Sequence, residues 1–244
     1  MSRDSDKKIS LLCAGAAQGL VEALSEQFDA RLQCRFGAVG AMREAMFAGE
    51  PCDVMVVTTK MIGDLQRAGY LLLGSESELG EVATGIGVRS GEPLPDVSTE
   101  AGLKSALLAA SEIYFPDPQR ATAGIHFASV LTRLGITSDV SCRLRTFPNG
   151  ATAMSELVAR SLPGAIGCTQ ITEIRRTAGM ECVAPLPDGY ELRTGYCAAV
   201  SAQSPRSKLA AAFVRLLTGP ETSALRRKLG FENSPAAAMG IASD

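Results

Sequence analysis

The residues with most to offer chemically lie in one stretch, Phe115-Pro116-Asp117-Pro118-Gln119-Arg120-Ala121-Thr122-Ala123-Gly124-Ile125-His126-Phe127. Gln119 to Gly124 is small and polar, with Thr122 able to cap a helix and Gly124 able to let a ligand reach the backbone. A helix predicted to follow would open with amides that have no partner in its first turn. Such amides carry partial positive charge and hold anions without a cationic side chain. Small-residue openings recur at Ala16 and Ala17, Val39 and Gly40, Thr58 and Thr59, and Asn149 and Gly150, with Ala123 beside Gly124 in the first instance. One such turn is commonplace; several converging ones make a candidate anion cradle.

His126 is the sole histidine and the side chain whose ordinary pKa suits proton transfer near neutrality, so it is the candidate catalytic acid or base. Its plainer reading is a half-buried ring bonded to a backbone group. Arg89 and Arg120 could clamp a carboxylate bidentately or simply decorate a rim. Gln170 is preferred as a ligand contact to Glu173, which reads as solvated. No Ser/His/Asp triad spacing or pair of catalytic carboxylates can be read, and Gly85-Ile86-Gly87 lacks the helix that a dinucleotide loop needs after it.

Apolar periodicity predicts the elements that must position these residues. Ile9 to Cys13 reads as a strand, followed by a helix facing inward through Leu20, Val21, Leu24 and Phe28. A second strand ends over Cys34 to Gly37, before a helix carrying Met42, Ala45 and Met46. A third, Asp53 to Val57, leads to Thr58 or Thr59 as the cap of a helix over Met61 to Ala68. Three strand–loop–helix units in a row predict an α/β fold with a parallel sheet and right-handed crossovers. A second set follows: a strand over Glu81 to Arg89, a helix from a Ser98 cap to Ala110, and a strand over Ser111 to Phe115. The helix after it bears Phe127, Val130, Leu131 and Leu134 and closes at Gly135. Then come a strand over Val140 to Phe147, a helix over Ala151 to Arg160 and a strand over Gly164 to Thr169. Arg193 to Ser201 is one more strand, Ser204-Pro205 reads as cap and first helical residue, and a last helix ends at Leu229. The Ala/Ser-rich tail from Asn233 reads as frayed.

The 244 residues are 46% hydrophobic and 20% charged with a net charge of −2, which suits a globular chain of one large or two modest domains. Without basic blocks, nucleic acid and acidic membrane surfaces are not expected partners. The expected partner is a small-molecule anion, with no cofactor and no metal. The cysteines Cys13, Cys34, Cys52, Cys142, Cys168, Cys182 and Cys197 are odd in number and scattered, without zinc spacing, so they read as reduced core residues. With the run from Met1 to Lys8 leading straight into a strand, a cytoplasmic location is expected, or a periplasmic one if a leader was removed.

Several phrases carry a family resemblance: Ala14 to Gln18, Phe36 to Gly40, Gly49 to Val54, Asp117-Pro118 with Thr122 to Gly124, and Gly164 to Gln170. Over roughly residues 9 to 230 the chain resembles the type II periplasmic binding protein fold, in its molybdate-binding protein-like family of solute-binding domains. The resemblance implies two lobes, each a mostly parallel sheet flanked by helices, with residues 1–83 plus 195–244 in one and 84–194 in the other. It also implies a ligand in the cleft, and two serine hydroxyls and a tyrosine as oxyanion donors. Ala16, Val39 and Thr169-Gln170 stand in those places, which favours a di- or tricarboxylate-like anion over molybdate. Aconitate isomerase is a relative of this type of fold, so the resemblance implies a proton-shifting isomerase of a small unsaturated carboxylate. The alternative is binding without catalysis, as the solute receptor of a molybdate-type ABC transporter or as an intracellular sensor.

Overall fold

The computed structural model describes residues 7–233; most of the tail read as frayed lies outside them. In chain order the elements are β1 (Lys8–Ala14), α1 (Gln18–Ser25), β2 (Arg31–Gly37), α2 (Val39–Phe47), β3 (Val54–Thr58), α3 (Thr59–Arg67), β4 (Ser77–Arg89), α4 (Glu100–Ala109), β5 (Ile113–Pro116), α5 (Thr122–Arg133), α6 (Thr137–Val140), β6 (Leu144–Phe147), α7 (Gly150–Arg160), β7 (Ile166–Gln170), α8 (Ile171–Arg176), β8 (Met180–Pro185), β9 (Arg193–Val200), α9 (Ser207–Thr218) and α10 (Ser223–Leu229). They form two compact units, one from the chain up to Glu81 and from Gly195 on, the other Val82–Thr194. The chain passes between them inside β4 and inside β9.

In the first unit the strand order is β2-β1-β3-β9. β1 pairs in parallel with β2 and β3, and β9 runs antiparallel to β3. β1 and β3 are almost wholly buried, through Ile9, Leu11, Leu12 and Cys13 and through Val54 to Val57, as strands covered on both faces must be. β2 lies at the edge and alternates between exposed and half-buried positions. The helices bury Leu20, Val21 and Leu24 of α1, Met42, Ala45 and Met46 of α2, and Ala210, Phe213, Val214 and Leu217 of α9. Each large side chain so buried contributes about 1.5–3 kcal/mol. α9 starts at Ser207 with no side-chain cap, two residues later than Ser204-Pro205 predicts. The Ser204 hydroxyl accepts the Arg206 amide (3.1 Å) in the turn ahead of the helix and donates to the buried carboxylate of Asp53 (2.5 Å), which also accepts the Ser10 amide (2.8 Å).

In the second unit β5 is parallel to β6 and β7, β4 is antiparallel to β7, and β8 is antiparallel to β4. The period of two splits β5 between two cores: Ile113 and Phe115 join Leu103, Leu107, Phe127 and Val130, while Tyr114 joins Met154, Leu157 and Ile174. Two local expectations are corrected. Thr99 rather than Ser98 caps α4, accepting from the Gly102 amide (3.1 Å), because the Ser98 amide and hydroxyl are both spent on Asp96 (3.0 and 2.7 Å). Val140 to Arg143 is helical turn, and the strand begins only at Leu144, since β5 offers it four partners and Arg143 is tied to the carbonyls of Leu108, Ala110 and Asp139. β8, a half-exposed strand with little alternation, has no clear sequence signal.

Candidate functional site

Each parallel strand of the first unit ends where a helix begins. Ala14 and Gly37 are level in the register, and the loops after them lead into α1 and α2. Ala16 and Ala17 form a buried helical turn ahead of α1, which no side chain caps. α2 starts at Val39 and Gly40 behind Ala38, whose extended backbone (φ −64°, ψ 149°) sets an N-cap without a capping side chain. The first-turn amides of this helix therefore have no acceptor from the capping residue. α3 differs: the Thr58 hydroxyl accepts from the Met61 amide (3.3 Å), so Thr58 is the cap and the exposed Thr59 is the first helical residue.

The second unit repeats the arrangement. Pro116 and Phe147 are level at the strand ends, with the Asp117 amide donating to the Phe147 carbonyl (2.7 Å). The Asp117 carboxylate turns the loop by accepting the amides of Gln119 (2.7 Å) and Arg120 (3.2 Å). α5 then begins at Thr122, one residue too late for its hydroxyl to cap, and the N-cap position falls to Ala121 with no side-chain bond. Gly124 is needed for a reason other than ligand approach. A Cβ there would collide with the carbonyl oxygens of Pro116 and Asp117, so the glycine lets the first turn of α5 sit on the end of its own strand. Ala123 is buried in the same turn, and the Arg120 side chain is exposed.

At α7 the helix start is already filled. Asn149 caps it, accepting from the amide and the hydroxyl of Thr152 (2.8 and 3.0 Å). The carboxylate of Glu173 accepts the backbone amides of Ala151 and Gln170 and the Thr169 hydroxyl (2.6 Å). Its Oε2 and the Thr169 Oγ1 occupy the space a Cβ of Gly150 would need. Glu173 is thus 5% exposed, and the reading of it as solvated is corrected. Burial raises its pKa, while the Thr169 hydroxyl, the two amides and Arg176 act to lower it. The sequence signal for this is slight: a threonine four residues ahead of a glutamate, on a short helix whose isoleucines, Ile171 and Ile174, are buried.

Gln170 ends β7 opposite Thr84, and its Nε2 donates to the Thr194 hydroxyl (3.3 Å). Its Oε1 and the Thr84 and Thr172 hydroxyls are buried without a hydrogen-bond partner among the described residues. One predicted residue stands apart from the second unit's helix starts. β4 is antiparallel to β7, so Arg89 lies at the opposite end of the sheet from the second unit's helix starts, ion-paired with Glu92. His126, one turn into α5, has its Nε2 2.7 Å from the Tyr190 carbonyl, which anchors that helix to the loop ahead of β9. Among the described residues no three His, Cys, Asp or Glu side chains are grouped to hold a metal, and no helix is long and apolar enough to cross a membrane.

The architecture has known counterparts. The periplasmic molybdate-binding protein of Azotobacter vinelandii superposes with a TM-score of 0.75 at 19% identity, covering 94% of this chain and 100% of that one. The sulfate-binding protein SubI of Mycobacterium tuberculosis H37Rv superposes with a TM-score of 0.72 at 17% identity, covering 96% and 89%. In sequence, the chain is 24% identical over 197 residues to an aconitate isomerase from a Pseudomonas species, spanning 80% of this chain and 73% of that protein. At such identities the structural likenesses establish the fold, a type II periplasmic binding protein fold. The family model for bacterial extracellular solute-binding proteins matches residues 9–232, and the chain belongs to that family.

Proposed function

We propose that the chain binds a small organic anion, with backbone amides at helix starts as its principal donors and a di- or tricarboxylate as the ligand class. The observation that carries this reading is that α2 in the first unit and α5 in the second each open at a strand end behind an alanine, Ala38 and Ala121, which gives no side-chain cap hydrogen bond. Alanine is among the poorest residues at an N-cap, so each helix left uncapped costs the fold stability that an anion bound at its start would restore. The small buried residues Ala16, Val39 and Ala123 add no hydroxyl, which leaves tetrahedral oxyanions with fewer fixed donors. Family membership supports solute binding as the activity itself.

The test is a thermal-shift and calorimetric screen of molybdate, sulfate, phosphate, malonate, citrate and aconitate. A ligand at one hundred times its dissociation constant stabilises the native state by about 2.7 kcal/mol. A saturable rise in Tm with a carboxylate and none with molybdate is expected; a flat response across the panel rejects the reading.

A second reading, isomerisation of the bound acid, is favoured by the 24% identity to an aconitate isomerase. In it His126 moves a proton through Nδ1 while Nε2 stays on the Tyr190 carbonyl. Proton NMR of cis- and trans-aconitate with the protein decides it: interconversion that His126→Ala abolishes is expected, and an unchanged spectrum rejects catalysis while leaving binding intact.

A further inference from the structure

We propose that Glu173 is a built-in anion that determines specificity: its carboxylate holds the start of α7, keeps solute charge out of it, and leaves a carboxylate-sized site when removed. Three donors converge on this group, the Thr169 hydroxyl at 2.6 Å and the backbone amides of Ala151 and Gln170. Together they form the kind of cradle that a free carboxylate would need. The glutamate reaches it from the following strand–helix turn, and Gly150 makes room for its Oε2. An eleven-residue helix stands behind the cradle, with its positive end toward the carboxylate. The N-cap residues of α2 and α5, Ala38 and Ala121, make no side-chain cap hydrogen bond.

The consequence for ligand choice rests on the function proposed above. A second negative charge brought close to Glu173 would meet like charge in a region that excludes water, where repulsion is least screened. Within the second unit the solute's charge then falls to the start of α5, which its N-cap residue leaves uncapped, and the part of it nearest α7 is neutral or donates a hydrogen bond.

The decisive experiment removes the resident carboxylate and offers a free one. Glu173→Ala, Glu173→Gln and the wild-type chain are melted in formate or acetate against chloride at equal ionic strength. Glu173→Ala is expected to gain a saturable rise in Tm with formate or acetate, about 5 °C or more at a hundred times the dissociation constant. Wild type and Glu173→Gln, whose side chains fill the space, are expected to show none. If Glu173→Ala unfolds without cooperativity in chloride, recovery of a cooperative transition in acetate counts as the same result. No response in Glu173→Ala, or an equal response in all three proteins, overturns the proposal. A wild-type chain that binds no anion in the panel above would reject the solute reading while an acetate response in Glu173→Ala stood; the converse would reject only the role of Glu173.

Discussion

At Glu173 two influences act on one proton: exclusion of water disfavours the charge, and three hydrogen-bond donors favour it. Burial prevails, so the carboxyl titrates above its ordinary value near 4.5. The folded chain then holds this proton more tightly than the unfolded chain does. Stability tied to the group is complete below the unfolded pKa and is lost as pH rises through the folded one. Glutamine cannot ionise, so Glu173→Gln escapes that loss. The Tm of the variant relative to wild type is expected to climb as pH rises above the ordinary carboxylate value, and a difference independent of pH would count against the burial argument. The spacing Thr169 to Glu173 is visible in the sequence, but nothing in it says that the carboxylate turns inward. That depends on the α7 start standing beside α8.

Among the elements, the helix starts separate what local sequence specifies from what it leaves open. Gly135, expected to close α5, takes φ +68°, and Gly230, expected to follow the last helix, takes φ +106°; both follow from glycine's freedom in the left-handed region. Ser98, Thr122 and Ser204 were equally plausible caps, and none of them caps its helix. A hydroxyl can serve several nearby acceptors and donors, and which it meets is set by one residue of helix phase or by a distant carboxylate such as Asp53. Gly124→Ala would overpack the contact between α5 and the end of β5, and a loss of about 1–3 kcal/mol in urea unfolding is expected. Wild-type stability in that variant would show the contact to be loose. Ala38→Asp supplies α2 with its own carboxylate. It is expected to add about 1 kcal/mol to stability while weakening binding of whichever carboxylate raises the wild-type Tm, so the two readouts should move in opposite directions.

For the whole molecule, the seven thiols report on folding. All seven are free, with Cys142 exposed, Cys13, Cys168 and Cys197 buried, and the rest half-buried. Burial pushes the Cys34 thiol up to about 11 and those of Cys52 and Cys197 up to about 12, leaving little thiolate near neutrality. Titration with a disulfide reagent at pH 8 should therefore find one fast thiol in the native chain, lost in Cys142→Ser, and seven in denaturant; several fast native thiols would mean a looser fold. The sequence by itself determined the α/β alternation and the apolar strands β1 and β3, because burial on both faces of a strand and on one face of a helix writes itself into local periodicity; the family was legible only through the resemblance of particular loop phrases, such as Ala14 to Gln18 and Gly164 to Gln170. Tertiary structure decided which helix starts stay uncapped, that Glu173 fills one of them, and that Arg89 lies at the opposite sheet end from the second unit's helix starts. Those outcomes depend on strand direction and on groups brought together from separate turns, and no local pattern records them.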